Sequence, residues 1–164
     1  MPKRQRTIAG PSSMIIAKRP IDKSIVSIDQ SSIVSSQVNV TLTTADAACT
    51  IKGLRWNLSF RGSPSDDETI FHWVIYRLKE GYSSPVVNTS NGVQLCEPEQ
   101  EVITWGSCQV LDSNAGTGPG VHQFEGSTKS MRKLMKGDRI VLSAKSNSVN
   151  SGRLVGAIQF FCLF

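Results

Sequence analysis

The chain has little that a catalyst needs. Its 164 residues contain only two histidines, His72 and His122, and neither a nucleophile elbow nor a phosphate loop. The glycine-rich run Ala115-Gly116-Thr117-Gly118-Pro119-Gly120 is followed by no lysine of the kind a phosphate loop carries, so it reads as a surface loop and not as a phosphate cradle. These shortages predict a protein that is not an enzyme and uses no cofactor. Cys49, Cys96, Cys108 and Cys162 lie far apart, without a Cys-x-x-Cys pair. That spacing offers zinc no ligand set and predicts reduced thiols packed as small apolar residues. No stretch approaches the ~18 consecutive apolar residues of a membrane-spanning helix, and no apolar run follows the charged N-terminus as in a secretory signal. A soluble product made in the cytosol, without a membrane partner, is expected. Helical periodicity is missing too: no segment keeps apolar residues at i, i+3 and i+4 through three turns.

What is abundant is positive charge, and it is unevenly placed. The net charge is +5. Residues 1–23 hold Lys3, Arg4, Arg6, Lys18, Arg19 and Lys23 against one acid, Asp22, while the remaining residues carry equal numbers of acids and bases. Pro2, Pro11, Pro20 and Gly10 interrupt the same segment. Such a stretch cannot bury enough apolar surface to offset its ordering entropy, so a disordered arm is expected over residues 1–23. A basic tail on a neutral domain is the electrostatic footprint of a polyanion binder. Its pairs Lys3-Arg4 and Lys18-Arg19 also suit a nuclear import receptor or a solubilising tail, and these roles do not exclude one another. The apolar Met14-Ile15-Ile16-Ala17 in its middle suits local packing or a neighbouring subunit.

From Ser24 to Phe164 the pattern is that of short strands. Val38, Val40 and Leu42 alternate with polar residues, as do Leu54, Trp56, Leu58 and Phe60 with Arg55, Asn57, Ser59 and Arg61; each run reads as a half-buried strand. Cys49 and Ile51 alternate in the opposite phase, and the switch at Gly53 predicts a bulge. Residues 69–78 are β-branched or aromatic on both faces, as in a strand covered on both sides. Residues 79–100 read as a long irregular stretch. Further strands are expected over 101–104, 107–111, 128–135, 139–144 and 154–163, with a turn at Lys136-Gly137-Asp138. About eight strands without strand–helix alternation mean a single antiparallel sandwich or barrel. Composition does not separate a jelly roll from an immunoglobulin-like sandwich or a closed barrel, although the missing Cys-Trp-Cys spacing and the long loops favour the jelly roll.

Four stretches then stand out together: Ile51-Lys52-Gly53-Leu54-Arg55-Trp56; residues 97–106, which end in Thr104-Trp105-Gly106; residues 127–138, from Ser127 to Asp138; and Gly156-Ala157-Ile158-Gln159-Phe160-Phe161-Cys162. In order and spacing they resemble capsid proteins of small circular single-stranded DNA viruses that encode a Rep protein. Those are similar in turn to the single jelly-roll capsids of satellite necrosis-type plant viruses. The resemblance covers residues 51–162. It implies a jelly roll, self-assembly into an icosahedral T=1 shell of sixty subunits in the virion, and an inward basic arm on the single-stranded DNA genome. It also implies assembly in the host nucleus. The arm departs from that pattern in being short and only modestly basic.

A second basic cluster, Lys129, Arg132, Lys133, Lys136 and Arg139 against Asp138, is the candidate for supplementary contact with nucleic acid. Strand alternation puts Lys129 and Lys133 on one face and Arg132 and Lys136 on the other. The cluster fits either an inner lining or a solvated strand edge protected by lysine. Trp56 and Phe60 share the apolar phase and read as core, whereas Trp105, in a loop-like context, suits an interface anchor. The loop acids Asp66, Asp67 and Glu68 are either an exposed acidic loop or a calcium site between subunits. Three functions fit these features: a shell protein, a nucleic-acid-binding β-sandwich that does not assemble, and a lectin-like or cytokine-like jelly roll. The last would call for secretion.

Overall fold

A computed structural model of the chain describes residues 21–63, 68–84, 87–90, 93–96, 101–111 and 120–163. Among them run ten strands: β1 (Ile21–Ile33), β2 (Val38–Thr44), β3 (Cys49–Arg61), β4 (Glu68–Leu78), β5 (Val87–Ser90), β6 (Val93–Cys96), β7 (Val102–Leu111), β8 (Val121–Leu134), β9 (Arg139–Ser146) and β10 (Gly152–Leu163). Two four-stranded antiparallel sheets form a sandwich, ordered β1-β10-β3-β8 and β2-β9-β4-β7, and β5 and β6 make a separate hairpin. The pairings are nested. β4 pairs with β7, β3 with β8, β2 with β9 and β1 with β10, as when one long hairpin is rolled on itself. That is the jelly roll, and it settles the choice that strand patterns alone left open.

The core forms because alternating residues of both sheets turn inward. Leu54, Leu58 and Phe60 of β3, Phe71 and Ile75 of β4, Leu142 of β9 and Ile158 and Phe160 of β10 are fully buried. Each such side chain contributes about 1.5–3 kcal/mol by leaving water. Phe60 stacks on Phe71 with ring centroids 4.2 Å apart, and Trp73 bridges to Trp56 at 5.4 Å and to Phe124 at 5.6 Å. The expected bulge is present: between Ile51 and Gly53 the register of β3 shifts against β8 and β10 alike. β4 is buried on both faces as expected, with Val74, Tyr76 and Leu78 of its outward phase packing with Val141.

One end of the sandwich is tied by charge. Arg77 donates two hydrogen bonds to Glu101, at 2.6 and 2.7 Å, and a third to the Lys133 carbonyl, at 2.6 Å. It thereby joins β4 and the start of β7 to β8 across the core. Lys79 Nζ lies 3.5 Å from the same carboxylate. Asp138, buried in the turn before β9, accepts from the Met135 and Glu80 amides.

Several expectations need correction. β1 begins at Ile21, before the expected boundary at Ser24, so Lys23 sits in a strand opposite Phe161 and not in a free arm. This long strand escaped notice because it is an edge strand whose apolar residues, Ile21, Ile25, Val26, Ile28 and Ile33, keep no period of two. The stretch 79–100 includes the β5–β6 hairpin. The strands expected over 101–104 and 107–111 are one, β7, which also places Trp105 in a strand and not a loop. Gly106 looked like a break, but a Cβ there would lie 2.8 Å from the Trp73 indole: the glycine makes room for a ring. β8 starts at Val121 instead of residue 128, which moves His122 out of a loop and into a strand opposite Phe60.

Candidate nucleic-acid interface

Of the expected nucleic-acid contacts, Lys3, Arg4, Arg6, Lys18 and Arg19 lie outside the described residues, as do Asp66 and Asp67 of the acidic loop. Glu68 is exposed and accepts a hydrogen bond from Gln109 at 2.8 Å. The second basic cluster divides as strand alternation requires. Lys129 and Lys133 are exposed on the outward phase of β8, and Lys136 is exposed in the turn beyond its end. Arg132 turns the other way and is a structural tie. One of its amines donates to the Val102 carbonyl at 3.1 Å, and its Nε is buried without a partner. Among the described residues no group of three or more His, Cys, Asp or Glu side chains is placed to hold a metal. No helix among them is long and apolar enough to cross a membrane.

The register collects further cations on the outward face of the β1-β10-β3-β8 sheet. Residues directly opposite one another form rows across the strands. At one end Lys23, Phe161, Gly53 and Lys129 share a row, and the next holds Ile25, Gln159, Arg55 and Ser127. The third is Ser27, Ala157, Asn57 and Glu125, and the fourth Asp29, Val155, Ser59 and Gln123. Arg153, Arg61 and Val121 close the face. Neighbouring rows are about 7 Å apart along the strands. The acids on this face are few. Asp29 is engaged by Arg153 through bonds of 3.0 and 2.8 Å, which hold its carboxyl below the usual range. No ion pair joins Glu125 to Arg55 among the described residues. Lys23 and Lys129 stand at the end where β1 begins, which is where the basic arm attaches to the sheet.

The face is also concave. Ala157 and Ser127 are too small to fill the middle rows, which leaves a depression of about 530 Å³ whose wall includes Ile25, Arg55 and Trp56. A second depression of about 260 Å³ adjoins it, with Lys52, Lys129 and Phe161 in its lining, and the two share Arg55 and Ser127. Lys52, Arg55, Arg61 and Arg153 were not among the expected contacts. A signal for Arg55 and Arg61 was present in their alternation with Leu54, Trp56, Leu58 and Phe60, but nothing local says which strands flank them.

The opposite outward face, on β2-β9-β4-β7, is different in kind. Val74, Tyr76, Leu78 and Val141 are buried there, and Tyr76 and Ser143 share a buried hydrogen bond of 3.0 Å, with Ser143 also donating to the exposed Asn39 side chain. His72 is buried between Lys145 and Ser107, its Nδ1 has no hydrogen-bond partner, and burial together with the Lys145 charge lowers its pKa. Burial pushes the Cys108 thiol up to about 11. Cys49, Cys108 and Cys162 are free thiols.

No family model and no curated protein sequence matches the chain. Among solved structures, an Eiger TNF from S. frugiperda aligns with 85% of this chain and 93% of its own, at 11% identity and a TM-score of 0.32. A chain from the structure of infectious bursal disease virus Gx strain aligns with 95% of this one at 10% identity and a TM-score of 0.34. This chain covers only 36% of that viral chain. Likeness at this level is too slight to carry an argument about function.

Proposed function

We propose that the chain is a viral coat protein whose jelly roll assembles with its own copies into a small icosahedral shell and whose basic N-terminal segment packages a single-stranded DNA genome. The observation that carries this is the coincidence of two charge patterns. The surplus positive charge lies in residues 1–23, and β1 begins at the end of the sheet whose outward row holds Lys23 at one edge and Lys129 at the other. Segment and row are both cationic, and binding of a phosphate backbone by such charge follows counterion release and not base sequence. Such a protein is not an enzyme. Its shell is a T=1 particle of sixty subunits, its assembly takes place in the host nucleus, and import is served by the Lys-Arg pairs of the arm.

Negative-stain microscopy and size-exclusion chromatography of the purified full chain test this. Closed particles carrying nuclease-protected nucleic acid that high salt releases are expected. Removal of residues 1–20, which stops short of the paired strand β1, should leave particles intact but emptier. A chain that stays monomeric at micromolar concentration in every salt overturns the shell. If it nevertheless binds nucleic acid through the arm, it is a soluble binding module instead.

A further inference from the structure

We propose that the depression on the outward face of β1-β10-β3-β8 is a nucleotide site, in which Arg55, Lys52 and Lys129 take backbone phosphates while the base lies on the floor at Ala157 with Asn57, Gln159 and Glu125 at its edge. This rests on the reading of the chain as a packaging protein and goes further, from diffuse charge to one built position for each subunit.

Three observations converge on it. The volume, about 530 Å³, lies within the roughly 300–1,000 Å³ of small-ligand sites and is ample for one nucleotide. The chemistry is graded along the sheet: cations stand in the rows of Lys129 and Arg55, and uncharged or acidic hydrogen-bonding groups in the row of Asn57 and Glu125. One row step, about 7 Å, separates them, so a phosphate on Arg55 leaves its own base over the next row. The floor is also kept open sterically. Ala157 is the small residue of its row, with Ser27 in the same row and Ser127 in the next, whereas Gly126 is in the inward phase of β8 and makes room for the Trp56 ring on the core side. A purely solvated face needs neither a cleared floor nor amides beside it. The acceptors Glu125 and Asn57 suit a base with an exocyclic amine, since a carboxylate accepts from the amino group of cytosine.

Oligodeoxynucleotide pentamers of cytosine and of thymine, added to the full-length protein freed of nucleic acid, are the test. Ultraviolet cross-linking with peptide mapping should place adducts on residues 55–57 and 125–127 as well as on the arm. Arg55→Glu should weaken pentamer binding about tenfold, in line with the loss of a charge-assisted contact. Ala157→Leu, which keeps every charge but fills the floor, should weaken it about fivefold, and cytosine should bind about threefold tighter than thymine until Glu125→Gln removes the difference. Circular dichroism and melting show whether each variant is folded, and Ser127→Leu is a second way to fill the floor should Ala157→Leu misfold. Adducts confined to residues 1–20, or a filled floor that binds as well as an open one, overturn the site. If particles still form and carry nucleic acid in that case, the packaging reading survives without the pocket. If no particle forms while the adducts persist, the site stands and the shell does not.

Discussion

The two outward faces of this sandwich are built from strands of similar length and opposite intent. On β1-β10-β3-β8 the outward rows mix small, polar and charged residues with a few apolar ones, the surface is concave, and Arg55, Arg61, Lys129 and Lys133 are exposed. On β2-β9-β4-β7 the outward residues Val74, Tyr76, Leu78 and Val141 are buried, and polar groups there are tied to one another. One face is therefore packed into the fold and the other stands open to solvent. A face that contributes little to stability can be cut into a pocket and loaded with like charges at small cost, whereas a face packed on both sides tolerates neither.

The same substitution made on both faces breaks or sustains that contrast, and it carries the largest expected effect. Val74→Lys should cost more than about 4 kcal/mol, because it buries an unpaired charge. Asn57→Lys, at the centre of the other sheet, should stay within about 0.5 kcal/mol. Urea unfolding midpoints for the two variants decide it, and equal losses would end the distinction. Next in size is the tie at the end of the sandwich. Arg77→Ala leaves the largely buried Glu101 with only Lys79 near it, and should cost about 2–3 kcal/mol, less than a fully buried pair because water still screens part of it. Equilibrium unfolding of this variant beside Arg153→Ala, whose exposed pair with Asp29 should matter little, ranks the buried tie against the surface one.

Smaller still is Tyr76→Phe, which removes one buried hydrogen bond while Ser143 keeps its bond to Asn39. A loss of about 1 kcal/mol by thermal unfolding is expected. The smallest effect is a pH dependence. The folded state lowers the pKa of His72 below its ordinary 6.5, so below that pH the unfolded chain binds the proton more readily than the folded one. The stability from the neutral ring is complete above pH 6.5 and is lost as the pH falls from there through the lowered folded value. Glu101 behaves alike in a more acidic window, below its ordinary 4.5, since Arg77 holds its carboxyl down. Melting of wild type and His72→Leu between pH 7.5 and 5.5 separates them: the wild-type curve should fall while the variant's stays flat.

Much of the sandwich is legible residue by residue, and the failures have local causes. Period-two alternation identifies β2 and β3, and the phase switch at Gly53 marks a true register shift, because a core face is a strong constraint on which side chains turn inward. β1 went unseen because the apolar residues of this edge strand keep no period of two. β7 was cut in two at Gly106 because a glycine that accommodates a neighbour's indole looks, in a sequence, like one that ends a strand. Of the site, the charge on Lys129 and Lys133 was readable, but Arg132 was grouped with them although its amine is committed to Val102.

The chain's own order of residues determined that it would be all-β, where its strands would alternate, and that its positive charge would be gathered at one end, since each of these depends only on neighbours along the backbone. Which strands lie side by side was decided by tertiary structure alone, because hydrogen-bonded pairing between segments a hundred residues apart leaves no local trace. That pairing puts Lys23 and Lys129 at the two ends of one row and Arg55 beside Gln159 and Ser127, and so turns scattered polar positions into a single cationic, concave face.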